Sequence, residues 1–421
     1  MESLIDVFQY PWAIRALIAS SLVGIMCGAL GCFIVLRNMA LVGDALAHAI
    51  LPGVVFAYLL VGYSVLGFFF GAVVAGFIAA LSMTWIQQNV ETKPDAAIGI
   101  VFTSMFSIGV MAISGINREG VHLDMKDFLF GFVLGISDQD LYLTAFITVY
   151  VLLSIVAFYR YLFLATFQPV IAETMGISVK TLHYFLMLLL SFAVVAALRT
   201  VGVILVVAML ITPASTALLL SNRLKWVLLL SSLIGLLSAV TGLVLSIYFD
   251  TTPGPAMAVT AGSFYLLAAI VSPNKGLVVR FFRKRKLQLR IQLEDTLKQA
   301  FRLQETEGKV DLKQLEKQLS FGTSRLRRHI SSLKEKGWMN GSAKQLQLSE
   351  KGQSQARRLV RAHRLWETYL VDKIGLTEGQ IHEEAEKYEH LLPDELLDEV
   401  DQTLGFPKLD PHGSPIPNKQ Q

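Results

Sequence analysis

Leu41–Gly53 reads LVGDALAHAILPG and sets an acid and an imidazole, Asp44 and His48, four residues apart among Ala, Leu and Ile. On a helix, side chains at i and i+4 share one face, about a turn apart. The stretch follows one long apolar run and opens the next. Ionisable side chains inside a membrane-spanning run are costly and mark ion or substrate pathways. A carboxylate oxygen and an imidazole nitrogen together suit a divalent transition metal. Two plainer readings stay open at this level. Asp is a favoured N-cap, so Asp44 could cap the second run. His48 could be a satisfied interior histidine.

The surroundings favour a membrane. Of 421 residues, 53% are hydrophobic and 17% charged, and the mean hydropathy is +0.52. Such values belong to polytopic membrane proteins rather than to large soluble domains. The composition is also split. Up to Pro273 the chain is nearly continuous apolar runs, and from Lys275 it is charged with Leu at helical spacing. The net charge of +4 is modest. Cys27 and Cys32 both lie in the first apolar run, which suggests packing rather than a disulfide framework. Met1–Pro11 carries Glu2 and Asp6 and no basic segment, so the first run is expected to stay in the mature chain.

About 20 apolar residues cross a bilayer as a helix. Nine spans are expected near Trp12–Leu36, Ala45–Val61, Val65–Gln87, Pro94–Ser114, Leu141–Tyr159, Val179–Leu198, Val201–Leu220, Trp226–Phe249 and Pro255–Val271. Phe128–Ile136 is too short to span and suits a re-entrant or interfacial piece. With the N-terminus outside, the inner loops hold Arg37, Lys93, Arg160, Lys180, Arg223 and Lys225, and the outer ones only Arg118, Lys126 and Arg199. Lys275 to Arg290 adds a basic cluster after the last span, so the tail is expected in the cytoplasm. In the longest inner loop, Phe163–Ser178, Gln168-Pro169 would break a helix, Pro169–Met175 could form a short one, and Gly176 would end it. That piece is either something a partner protein could grip or an ordinary connection. His122, Asp124 and Asp127 in an outer loop read as a solvated loop, and Asp250 beside Pro253-Gly254-Pro255 as turn chemistry.

GDALAHAILPGV (Gly43–Val54), FLFGFVLGIS (Phe128–Ser137), the loop Phe167–Gly176 and VGVILVVAMLITPASTA (Val201–Ala217) resemble the permease subunit of ATP-binding-cassette importers for manganese, iron or zinc. That resemblance implies a paired permease core (homo- or heterodimeric), a separate cytosolic ATPase, an extracytoplasmic metal-binding protein and a bacterial inner-membrane location. It assigns Asp44 and His48 to the translocation path, and Pro169, Glu173 and Gly176 to the loop that docks on the ATPase. The chain carries no G-x-x-x-x-G-K-[ST] pattern, so ATP hydrolysis is assigned to the partner. No nucleophile is paired with a base, and an enzyme is not expected.

The charged tail has its own pattern. Ile291–Gln304 is helical, with Leu293, Leu297, Ala300 and Phe301 apolar. Leu312, Leu315 and Leu319 mark a second helix, and Phe321-Gly322 a tight connection. Thr323–Gly337, TSRLRRHISSLKEKG, has one apolar face of Leu326, Ile330 and Leu333. Two helices, a Gly turn and a basic second helix describe a helix-turn-helix. Thr323, Ser324, Arg325, Arg327, Arg328 and Ser331 are its candidate DNA contacts. Asn340-Gly341 signals a hairpin that would form a wing, with Leu346 and Leu348 alternating after it. Ser349 is expected to cap a helix bearing His363 and Glu367 at i,i+4. His382, Glu386, Glu389 and His390 then recur at i, i+4, i+7 and i+8, a metal-ligand stripe.

This tail resembles the diphtheria-toxin-repressor and manganese-repressor family, through the winged helix, RAHRLWE, HEEAEKYEH and GFPKLDPHGSPIP. The resemblance implies a primary regulatory metal site of Asp295, His363, Glu386, Glu389 and His390; His363, Glu367 and His382 could instead form an ancillary site. A glutamate at Glu386, where iron-type members have cysteine, leans toward manganese. A second acid expected one turn after Asp295 is here Lys298. The expected fold is therefore an all-α polytopic membrane protein of about nine transmembrane helices, followed by a cytoplasmic winged-helix domain and a helical dimerisation and metal-sensing domain. Its parts are a permease over 1–274, a basic linker over 275–290, a winged helix over 291–352 and a metal-binding region over 353–421. The expected function is import of a divalent metal, Mn²⁺ or Fe²⁺ before Zn²⁺, with a tail that represses from operator DNA. Two alternatives have the tail released by proteolysis, or acting only as a metal-sensing gate.

Overall fold

Apolar runs of 19 to 26 residues fold here as helices. In hydrocarbon only a helix satisfies every backbone N–H and C=O within its own segment. The structure is a computed structural model that describes residues 10–62, 64–116, 133–273, 275–308, 310–319, 322–342 and 345–418. It divides into two units, Met1–Val279 and Arg280–Gln421.

The first unit contains α1 (Pro11–Leu36), α2 (Ala40–Ala49), α3 (Leu51–Val61), α4 (Val65–Asn89), α5 (Pro94–Ile116), α6 (Asp138–Ala157), α7 (Tyr159–Phe167), α8 (Pro169–Thr174), α9 (Val179–Leu220), α10 (Leu224–Tyr248) and α11 (Pro253–Val271). Among the described residues nine segments are long and apolar enough to span, and they coincide with the nine expected. The second of them is broken at Ile50, because Pro52 in the first turn of α3 cannot continue the helix before it. Asp44 therefore lies inside α2, whose N-cap is Met39, and the N-cap reading of Asp44 fails. The sixth and seventh spans follow one another directly, with a kink at Gly202, where φ is 78° and ψ 168°. That conformation suits glycine, and the break falls there rather than at Arg199-Thr200. Asp250 adopts φ 52°, as its turn reading requires. The loop residues Arg118, His122, Asp124, Lys126 and Asp127 lie outside the described residues, as do residues 128–132 of the short apolar piece. Val133–Gly135 is a single 3₁₀ turn. Cys27 and Cys32 are free and buried.

α1 is the central element and packs on α9 and α10 through small residues. A Cβ added at Gly24 would fall 2.5 Å from Gly235 O, and one at Gly31 would fall 1.9 Å from Leu210 O. Ser231 Oγ donates to Gly28 O across the same contact. Small residues let helix backbones approach this closely where the hydrophobic effect cannot drive association. Leu30, Phe33, Ile34, Leu46, Ile50, Leu186 and Leu190 fill the interior. Leu60, Met111, Phe146 and Val156 face outward, as lipid-facing side chains do.

The second unit contains α12 (Leu277–Glu307), α13 (Leu312–Leu319), α14 (Thr323–Glu335), β1 (Met339–Ser342), β2 (Gln345–Leu348), α15 (Glu350–Tyr369), α16 (Glu378–Tyr388) and α17 (Asp394–Thr403). The expected linker over 275–290 is mostly helix. From Leu277 to Glu307 there is no Gly or Pro, and Lys, Arg, Leu and Gln are good helix formers. β1 and β2 pair antiparallel from Met339–Leu348 to Ser342–Gln345. Asn340 and Gly341 thus lie in the strand and not in the turn, while Leu346 and Leu348 point inward as their alternation predicts. Phe321 lies outside the described residues. Leu297, Ala300, Leu315, Leu326, Leu333 and Leu346 form one core. Ala362, Leu392 and Leu397 form a smaller one beside Trp366. Ser349 caps α15 by accepting from Gly352 N at 3.1 Å.

Candidate metal sites

Asp44 and His48 sit on one face of α2, with His48 Nε2 3.7 Å from Asp44 Oδ1. The His48 ring packs against Phe102 and Phe106 of α5, at 5.4 and 5.5 Å between centroids. Its Nδ1 is buried with no hydrogen-bond partner among the described residues. The plainer reading of His48 as a satisfied interior histidine finds no partner for that atom among the described residues. About half of the Asp44 side chain is exposed. The pair offers one hard oxygen and one borderline nitrogen, held apart at a distance two ligands of one ion can adopt.

The short helix expected in the inner loop is present as α8. Gln168-Pro169 starts it, and Gly176 follows with φ +78°. Ala172 is buried, while Pro169, Val170, Ile171, Glu173 and Met175 are exposed.

In the second unit the ligand stripe does not converge on one point. His382 to His390 is eight residues, roughly 12 Å of helix rise. No single ion reaches both ends. The structure instead forms two clusters. In the first, His363 Nε2, Glu367 Oε1 and His382 Nδ1 lie 3.1, 3.2 and 2.9 Å from one another. Ligands on neighbouring vertices around an ion with roughly 2.1 Å bonds lie about 3 Å apart, so these donors fit one. His363 and Glu367 are buried, and His382 is exposed. Glu386, expected with Asp295, stands 3.5 Å from His382 Nε2 and is exposed. Asp410 accepts from the N–H groups of His412 and Ser414, which sets His412 Nε2 3.9 Å from Glu367 Oε1.

The second cluster is Asp295, Glu389 and His390. His390 Nε2 lies 3.1 Å from Asp295 Oδ1 and 3.3 Å from Glu389 Oε1. On the other side of the ring, Glu294 Oε2 meets His390 Nδ1 at 2.8 Å, and Arg290 donates to Glu294 Oε1 at 2.9 Å. Lys298 Nζ lies 2.6 Å from Glu389 Oε1. Glu389 Oε2 in turn lies 2.5 Å from His363 Nδ1, a charge contact off the hydrogen-bonding direction. Glu389 thus joins the two clusters. Sequence reading missed Glu294 and His412. Glu294 immediately precedes Asp295, and a buried acid one turn after Arg290 was its only local signal.

The electrostatics follow the geometry. Burial would raise Glu367, but hydrogen bonds from His363 and His382 outweigh it and bring the carboxyl down to about 2. Burial would lower His390, but Asp295, Glu294 and the Glu389 charge outweigh it and hold the imidazole up at about 9. Burial opposes both remaining shifts: Glu367 and then Glu389 hold His363 above its ordinary range, and His363 and Lys298 hold Glu389 below its own. The metal-free fold therefore binds the His390 proton more tightly than the unfolded chain does. The resulting stability is complete below about pH 6.5 and lost as pH rises through about 9, up to about 3 kcal/mol. Hydrogen exchange in α16 of the metal-free chain, corrected for intrinsic rate, should lose protection across that window. Protection unchanged from pH 6 to 10 would contradict it.

α14 carries its polar residues as expected. Thr323, Ser324, Arg325, Arg327, Arg328 and Ser331 are exposed, and Leu326, His329, Ile330 and Leu333 are buried. Arg285 of α12 lines a cleft together with Arg325 and Arg328.

The nine spans, with an acid–imidazole pair in one of them, define a polytopic transport subunit. More narrowly, residues 9–272 match the ABC 3 transport family, and the chain belongs to it. Residues 349–418 match the metal binding and dimerisation domain of iron dependent repressors, so a repressor-type domain is fused to the permease. The manganese transport system membrane protein MntC of Halalkalibacterium halodurans is 48% identical over 281 residues, 67% of this chain and 94% of that protein. The manganese import system permease protein ScaB of Streptococcus parasanguinis is 42% identical over 267 residues, 63% of this chain and 93% of that one. A solved structure, PsaBC from Streptococcus pneumoniae in complex with Fab, is 39% identical with a TM-score of 0.60, covering 67% of this chain and 98% of that chain.

Proposed function

We propose that the chain is the permease subunit of an ATP-driven importer of Mn²⁺, with a tail that senses the same ion. The observation that carries the first half is the Asp44–His48 pair, with its orphaned Nδ1 inside a span. Manganese in the names of the relatives, together with the hard carboxylate donor, favours Mn²⁺; Fe²⁺ and Zn²⁺ share these ligands. ATP is hydrolysed by a separate cytosolic subunit, which grips the exposed residues of α8 around Glu173. An extracytoplasmic metal-binding protein delivers the ion, and a second permease subunit completes the path. The tail is cytoplasmic, as the basic cluster from Lys275 to Arg290 favours. Expression of the chain with its ATPase, its extracytoplasmic metal-binding protein and its second permease subunit in a manganese-uptake-deficient bacterium tests this reading. Restored accumulation of labelled Mn²⁺ supports it, and none with all the subunits folded refutes it.

In the tail, His363, Glu367 and His382 would hold the regulatory ion, which supplies positive charge that ties α15 to α16. α14 reads DNA when the ion is bound and represses the transport genes. The double substitution R325A/R328A should weaken promoter binding by the solubilised chain at least tenfold and lower the salt slope by about 2. Anisotropy titrations at several salt concentrations measure both. No metal-dependent DNA binding by the unaltered chain would favour the gating role. Release of the tail by cleavage at 275–290 is disfavoured, because most of that segment is helical.

A further inference from the structure

Read as a coordination site, the Asp295–Glu389–His390 cluster already contains a cation. Lys298 follows Asp295 by three residues on α12, on the same face one turn along. Its side chain is 3% exposed and that of Glu389 0%, with Nζ 2.6 Å from Oε1. That oxygen is the one His390 Nε2 faces at 3.3 Å, the donor an ion between Asp295 and His390 would need. The ammonium comes from a residue 91 positions away in sequence and has no exit to solvent. A divalent ion bound here would have to displace a buried charge from a buried carboxylate, and removing one member of such a pair is strongly unfavourable.

The other Glu389 oxygen faces His363 Nδ1. That charge contact lies behind the His363 ring and favours the orientation that turns Nε2 toward Glu367 and His382. Lys298 holds that carboxylate in place.

We infer that Lys298 is the resident cation of the Asp295–Glu389–His390 cluster, so that the tail binds one divalent ion per chain, at His363, Glu367 and His382, with Lys298–Glu389 as its outer support. The inference rests on the reading of the tail as a metal-binding unit. It assigns Asp295 and His390, expected as ligands, to a built-in ion-pair network instead.

The test counts Mn²⁺ bound per chain in the detergent-solubilised, chelator-stripped full chain, by electron paramagnetic resonance of the free ion. Asp295→Asn and His390→Ala should leave the count unchanged, and His382→Ala should lower it by one. Lys298→Glu should raise it by one, and His390→Ala in that background should remove the gain. A loss of one ion on Asp295→Asn in the chain that keeps Lys298 overturns the proposal while the metal-sensing reading stands. A folded Lys298→Glu chain with no gain also overturns it. A count that none of the substitutions changes overturns the metal-sensing reading itself. The Asp295→Asn and His382→Ala pair decides the matter even where Lys298→Glu does not accumulate, since Asp295 is a third exposed and His382 more than half.

Discussion

On the proposed reading, His48→Ala should abolish manganese uptake, to less than about a tenth of the unaltered rate, while the chain remains in the membrane in near-normal amount. The ring has one nitrogen 3.7 Å from Asp44 Oδ1 and the other buried with no hydrogen-bond partner among the described residues. An unpaired buried nitrogen costs stability that the fold does not recover from packing alone. On the proposed reading that nitrogen serves a transient ligand, since ionisable groups inside a span commonly mark the pathway. Alanine removes both nitrogens and two aromatic contacts, a modest packing loss. Asp44→Asn is the companion variant. It keeps the shape of a half-exposed side chain and removes the charge that an arriving cation would meet. Uptake of labelled Mn²⁺, normalised to membrane protein, measures both variants. Ordinary transport by both would remove Asp44 and His48 from the path.

A second large effect should appear in stability. Gly31→Val should destabilise the membrane unit by at least about 3 kcal/mol, the upper end of overpacking costs. A Cβ there would sit 1.9 Å from Leu210 O, and the obstacle is backbone, so no rotamer change relieves it. α1 would have to move off α9, and the contacts of Leu30, Phe33 and Ile34 would go with it. Gly99→Ala is the matched control, since nothing lies within 4 Å of its added Cβ. Thermal unfolding in detergent, followed by size-exclusion monodispersity, should separate the two by many degrees. Equal behaviour would mean that the α1–α9 crossing is looser than its geometry indicates.

Much of this was legible in local pattern. Span lengths follow from apolar runs, because hydrocarbon leaves a chain no alternative to a helix. The shared face of Asp44 and His48 follows from i,i+4 spacing, and the buried face of α14 from Leu326, Ile330 and Leu333. Ser349 announced its own cap. Where local pattern misled, a competing local term decided the outcome. Pro52 split the second span, Gly202 placed the break between the sixth and seventh, and the good helix formers of 277–290 made a helix of the expected linker.

The metal sites of the tail depend on something else. The stripe His382, Glu386, Glu389 and His390 is one face by period, and the sequence by itself determined that these donors line up. It could not determine what they meet. Helix rise separates the two ends by roughly 12 Å, so each end takes partners from a different element. The family resemblance groups His382 with His363 and Glu367, and His390 with Asp295; only the tertiary structure brought Glu294 to His390, set Glu386 beside His382, and sent Lys298 to Glu389 across 91 positions. The physical reason is that a periodic pattern encodes the direction of a side chain relative to its own helix. The charge that neutralises a buried carboxylate is chosen by which helices pack around it.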